Sequence, residues 1–221
     1  GPGLSDIVVI PNGIDSGRWP FALRPHRPGP PELLFFGRLE YEKGVHDAIA
    51  ALPRIRRAHP GTTLTVAGDG TQQDWLLDVA RKHKVLKSVC FTGRADHDQL
   101  LALLHRVDVA VLPSRYEPFG IVALEAVAAG TPLVGEAVID GVPGLCCPPG
   151  SVPALAAAVI AALDDPAAAQ ARAVAARERL TADFDWQTVA ARTVAVCAGA
   201  KRTDRQPQTR REIPENPLPG R

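Results

Sequence analysis

Two glutamates with seven residues between them flank an expected helix start, in Ser114-Arg-Tyr-Glu-Pro-Phe-Gly120 followed by Ile-Val-Ala-Leu-Glu125. Residues 108–113 read as an apolar strand and 120–129 as a small-residue helix, which leaves Glu117, Phe119 and Gly120 on the turn between them. In an open α/β sheet such a turn is where ligands bind. A helix start offers unpaired NH groups and the positive end of a dipole to an anion, and Gly120 lets a phosphate approach without meeting a Cβ. Glu125 is expected about 12 Å further along, at a rise of about 1.5 Å per residue. One carboxylate can then serve one end of an elongated ligand while the other grips the far end through paired hydroxyls.

A second group lies upstream. Gly37-Arg38 ends an apolar run and Lys43-Gly44 opens a helical pattern, so two cations sit at one sheet edge. A planar guanidinium fork and a mobile ammonium suit a diphosphate; taken alone, they read equally as solvated surface charges. Gly68-Asp-Gly70 is a turn, at a ligand edge or merely between elements. Histidines 26, 46, 59, 83, 97 and 105 have no metal-ligand spacing and read as surface or capping residues, and Trp19, Trp75 and Trp186 as packing residues in preference to sugar platforms.

The elements that must position these residues alternate regularly. Strands are expected near 33–37, 62–67, 88–92, 108–113 and 132–134, and helices near 44–58, 71–83, 97–106 and 120–129, the order of a parallel sheet with covering helices. An Ala-rich stretch from 152 to 182 reads as two helices broken at Asp164-Asp-Pro166, and 186–200 as a third. The fold class is therefore α/β, a Rossmann-like parallel sheet with helices on both faces. With 221 residues, 46% hydrophobic and 22% charged, the chain can bury one substantial core. A net charge of +1 gives no electrostatic case for nucleic acid or a membrane surface, and no apolar run reaches the ~20 residues that span a bilayer. Cys90, Cys146, Cys147 and Cys197 lack paired metal spacing and read as reduced thiols of a cytoplasmic protein.

Taken together, Ile10-Pro-Asn-Gly-Ile-Asp15, Phe36-Gly-Arg-Leu39 with Lys43-Gly44, Val66-Ala-Gly-Asp-Gly70, Phe91-Thr-Gly93, the glutamate segment and Ala129-Gly-Thr-Pro-Leu-Val134 resemble the retaining glycosyltransferases of family four, over roughly residues 6 to 200. More closely, they resemble the α-1,4-glucosyltransferases of methylglucose lipopolysaccharide and α-glucan synthesis in high-GC bacteria. The resemblance implies the C-terminal half of a two-domain GT-B fold, with residues 1–31 the end of the first domain and a Pro-rich linker, 32–182 the nucleotide-sugar-binding domain, 183–200 a helix crossing back, and 201–221 a disordered tail. It implies Arg38 and Lys43 on the donor diphosphate, Glu117 beside the donor sugar as a stabiliser, and Glu125 on the ribose hydroxyls. Gly37, Gly68, Phe119 and Gly120 fall on the binding edge, and Thr92, Gly93 and Arg94 meet the nucleotide base.

The donor so implied is UDP- or ADP-glucose, the acceptor an oligo- or polysaccharide bound by the absent first domain, and the reaction that of a hexosyltransferase inactive as this piece alone, with no metal or other cofactor. A non-catalytic nucleotide-sugar-binding module is the alternative. An NAD-dependent oxidoreductase is disfavoured because no Gly-x-Gly-x-x-Gly follows the first strand, and no lysine is marked for the pyridoxal phosphate of a glucan phosphorylase. One departure stands out. After Val134 the chain is about seven residues shorter than the family pattern before Glu136, which matches a family glutamate. Either the segment is deleted, impairing the site, or a mobile loop is omitted from the sequence; omission is preferred, because deletion would remove the turn where ligand binds.

Overall fold

The computed structural model describes residues 7–24, 28–135 and 144–199; Glu136 and the expected tail lie outside them. Six strands, β1 (Glu32–Phe36), β2 (Thr63–Ala67), β3 (Val89–Gly93), β4 (Val109–Leu112), β5 (Leu133–Gly135) and β6 (Leu145–Cys146), form one sheet in the order β3-β2-β1-β4-β5-β6, all pairs parallel. The inner strands are short apolar runs, Leu-Leu-Phe-Phe in β1 and Val-Ala-Val-Leu in β4, buried along their length because helices cover both faces. The edge strand β3 alternates half-buried and exposed residues instead.

Among the described residues, seven α-helices follow the strands: α1 (Val45–Ala58), α2 (Gln73–Lys82), α3 (His97–Arg106), α4 (Ile121–Ala129), α5 (Val152–Asp164), α6 (Pro166–Asp183) and α7 (Trp186–Gly199). Helix α1 packs on α2 and α5, whereas α4 packs on α3 and α6. In α1 the buried residues Val45, Ala48, Ile49, Leu52 and Ile55 recur at helical spacing, and this stripe holds the helix together despite Pro53 in its interior. Helix α3 starts at a reciprocal cap, in which Asp96 Oδ1 accepts from Gln99 NH (2.8 Å) and Gln99 Oε1 from Asp96 NH (3.0 Å). The break between α5 and α6 falls at Asp165, whose carboxylate accepts from Ala168 NH at 2.9 Å ahead of Pro166.

The expected strands and helices agree with these bounds within two residues, and the α/β fold class with them. Strand β6 was not anticipated, because two residues carry no readable pattern. Residues 7–13 carry no regular structure, with Ile7, Val8 and Val9 exposed. Ile14 then bridges the turn before α7: its NH donates to Phe184 O at 2.8 Å and its carbonyl accepts from Trp186 NH at 3.0 Å. No single helix among the described residues is long and apolar enough to cross a membrane.

From β1 the chain steps outward through β2 to β3, then returns to place β4 on the other side of β1. That reversal falls between β1 and β4, and the carboxyl ends of strands at such a point are where doubly wound sheets take ligands.

Candidate functional site

Two turns meet at the carboxyl ends of β1 and β4. The first follows β1, through Gly37, Arg38, Leu39 and Glu40 into a single 3-10 turn, Tyr41–Lys43, and then α1. It is braced by the turn after β2: Leu39 NH donates to Asp69 O (2.7 Å), and the Glu40 carboxylate accepts from Thr71 NH (3.0 Å) and Thr71 Oγ1 (2.7 Å). Those bonds hold the Glu40 carboxyl below the usual carboxylate range. Gly44, left-handed at φ 68°, lets the turn lie against the β4 end, where any Cβ would come within 1.9 Å of Pro113 O.

The second turn, Pro113 to Gly120, carries Glu117 back onto the first. Lys43 Nζ donates to Glu117 Oε2 at 2.7 Å, with only 14% and 11% of the two side chains exposed. Ser114 Oγ donates to the same oxygen (3.4 Å), and Gly120 NH to Glu117 Oε1 (3.3 Å). Gly120, left-handed at φ 90°, caps α4, so the Glu117 carboxylate lies against the positive end of that helix. Glu117 is thus already held by a cation, a hydroxyl and an amide.

Arg38 is placed differently. Its side chain is 67% exposed and pairs with Glu42 at 3.3 Å, an exposed i,i+4 pair worth at most about 1 kcal/mol and so readily exchanged for a ligand. Glu125 is the one charged residue of α4, on a helix otherwise of apolar residues. Burial pushes its carboxyl up to about 7, and among the described residues it makes no hydrogen bond or ion pair. A mostly buried, unpartnered carboxyl is suited to a pair of hydroxyls. Only the stretch from Ile121 to Glu125 is helical, so the expected separation of the two glutamates is spanned partly by the turn.

The remaining expected positions spread along the same sheet edge. Gly37 NH donates to Ala67 O (3.0 Å) and Gly68 NH to Gly93 O (2.8 Å), tying the ends of β1, β2 and β3 together. Thr92 and Arg94 are exposed and line a hollow of about 400 Å³ with Gln99 and Arg106 on α3. Phe119 is half-buried, its ring 6.2 Å from that of Phe184.

A network that the sequence reading missed backs the site. Arg115 grips Asp47 of α1 through both nitrogens of its fork (Nε to Oδ2, 2.9 Å; Nη2 to Oδ1, 3.0 Å). Asp47 lies among the buried residues of α1, and a carboxylate within an apolar stripe was the available signal. His46, read as a surface residue, is stacked on Tyr41 (centroids 4.8 Å apart), with Trp75 5.0 Å away. Burial lowers its basicity, with the Arg115 charge adding to the effect and Asp47 opposing it. Of the tryptophans, Trp19 is core, whereas Trp75 and Trp186 are partly exposed.

A family model, glycosyl transferases group 1, matches residues 22–179, which include both turns and all six strands. The chain belongs to this family. A glycogen synthase of Mycobacterium tuberculosis is 68% identical over 228 residues, a match that takes in 100% of this chain and 55% of the relative, so the chain spans about half the length of that relative. Among solved structures, sucrose-phosphate synthase of Thermosynechococcus elongatus superposes with a TM-score of 0.74 at 30% identity, over 86% of this chain and 51% of that one. Anabaena HepE, solved in complex with UDP and glucose, gives 0.71 at 25% identity, over 86% and 56%. The match to the mycobacterial relative runs over 228 residues against 221 in this chain, so at least seven of its positions have no counterpart here.

Proposed function

We propose that this chain is the donor-binding half of a retaining glucosyltransferase, which transfers glucose from UDP- or ADP-glucose to an α-1,4-glucan. The observation that carries the reading is the Lys43–Glu117 pair at the reversal between β1 and β4, beside the start of α4. A donor diphosphate at that helix start meets its amides and dipole, the Lys43 ammonium and the mobile Arg38 fork. These cations neutralise the charge that grows on the nucleoside diphosphate as it leaves. Glu117, already occupied by three donors, acts as a stabiliser and positioner and not as a nucleophile; a phosphate oxygen assists the acceptor hydroxyl on the same face. Glu125 takes the ribose hydroxyls, and the sheet edge at Gly68, Thr92, Gly93 and Arg94 takes the base.

The identity to a mycobacterial glycogen synthase supports glucose and a glucan; a methylglucose lipopolysaccharide acceptor is the finer variant of the same reading. The acceptor site belongs to a first domain, and the chain alone does not turn over. The alternative, kept because the chain is about seven residues shorter than the family pattern after Val134, is a module that binds nucleotide sugar without transfer. Joining this chain to the N-terminal half of the mycobacterial relative and assaying radiolabelled glucose transfer to glycogen separates the two. Transfer supports the glucosyltransferase; donor binding without transfer supports the module.

A further inference from the structure

We propose that Arg115 is a positioning residue of the donor site, fixing Lys43 against Glu117 without touching the ligand; the inference rests on the donor-site reading above. Arg115 stands two residues before Glu117, on the turn after β4, and all three guanidinium nitrogens have partners. Nε and Nη2 form the paired bonds to Asp47 (2.9 and 3.0 Å), and Nη1 donates to the Tyr41 hydroxyl at 3.2 Å. The guanidinium carbon also lies 5.1 Å from the centroid of the Tyr41 ring, on which His46 is stacked. The Arg115 NH donates to Glu42 O at 2.7 Å.

These attachments bracket Lys43. Tyr41 and Glu42 immediately precede it and Asp47 follows on the first turn of α1, so Arg115 ties both flanks of Lys43 to the turn that carries Glu117. Asp47 is 4% exposed, and the paired bonds from Arg115 satisfy both of its carboxylate oxygens at that buried site. On the remaining side a Cβ on Gly150 would meet the guanidinium at 3.2 Å, so the segment before α5 closes over the fork. Arg115 thus commits three of its five N–H donors to protein groups, and the paired bonds to Asp47 fix the plane of its fork. It acts through geometry, where a displacement of about 1 Å can cost a hundredfold in function. Lysine would keep the charge but lose the planar fork.

The test is calorimetric titration of the chain with UDP and ADP, beside Arg115→Lys, Asp47→Asn and the double variant, each well below its own melting temperature. The positioning role predicts that both single variants still unfold cooperatively yet bind the nucleotide at least tenfold more weakly. It also predicts that the double variant is no worse than the weaker single, because the two residues act as one unit. Full affinity in Arg115→Lys would overturn the proposal, since charge alone would then suffice. Lowered melting temperatures with affinity within twofold of the wild type would also overturn it, leaving a purely structural brace. If the wild-type chain binds neither nucleotide, the donor-site reading fails first and this inference with it.

Discussion

Lys43 Nζ and Glu117 Oε2 lie 2.7 Å apart although 74 residues separate them in sequence, and only the adjacency of β1 and β4 brings them together. Each side chain is largely withdrawn from water, so each depends on the other's charge. Removing one partner of such a pair strands the other, at about 3–5 kcal/mol when burial is complete and less here, where some solvent reaches both. Lys43→Met and Glu117→Gln are each expected to destabilise the chain by about 1–3 kcal/mol. The double variant should cost clearly less than the two together. Urea unfolding of the four proteins measures the coupling, and strictly additive losses would show that the pair contributes nothing as a pair.

Gly44→Ala should be strongly destabilising. A left-handed residue with a side chain costs about 1–2 kcal/mol, and the new Cβ would also collide with Pro113 O, a backbone atom of the opposing turn. A loss of more than about 3 kcal/mol in thermal or urea unfolding, or failure to fold, is expected. A change below about 1 kcal/mol would mean that the two turns are not in the contact described.

Glu125 makes stability depend on pH in a stated direction. Burial raises its carboxyl from 4.5 to about 7 in the folded chain, so its favourable contribution is complete below about 4.5 and is lost as pH rises through 7. Glu125→Gln should therefore match the wild type near pH 4 and exceed it near pH 8, by an amount on the order of 3 kcal/mol at most. Urea melts at the two pH values check this; an equal difference at both would contradict it.

The same carboxyl should release a proton when a donor binds. Ribose hydroxyls bonded to Glu125 favour its ionised form, so UDP-glucose binding near pH 7, where this carboxyl is about half protonated, is expected to expel up to about half a proton. Its phosphodiester groups do not titrate in this range. Calorimetry in two buffers of different ionisation enthalpy reads the release, and its persistence in Glu125→Gln would assign it elsewhere.

Much of the fold was legible because the local signals agree. Leu33–Phe36 and Val109–Leu112 stand out as apolar runs, and Asp165-Pro166 marks the break between α5 and α6. Lys43, Glu117, Gly120 and Glu125 were legible as types at suitable spacings, but the ion pair was not, since strand order is a tertiary property absent from either local stretch. The Arg115–Asp47 fork was missed for the same reason, and because Arg115 reads as solvated until its partner is known to be buried. Arg38 and Lys43 were read as equals; burial separates them, Lys43 held within the site and Arg38 out in solvent.

That difference sharpens the most direct measurement of the central claim, titration of the chain with UDP, ADP and GDP beside Lys43→Ala and Arg38→Ala. The donor-site account predicts that one nucleotide binds with micromolar affinity. Lys43→Ala should weaken it by about tenfold to a hundredfold, the worth of a charge-assisted hydrogen bond, and Arg38→Ala by several-fold. Binding that is indifferent to Lys43, or none by any of the three, would contradict the account.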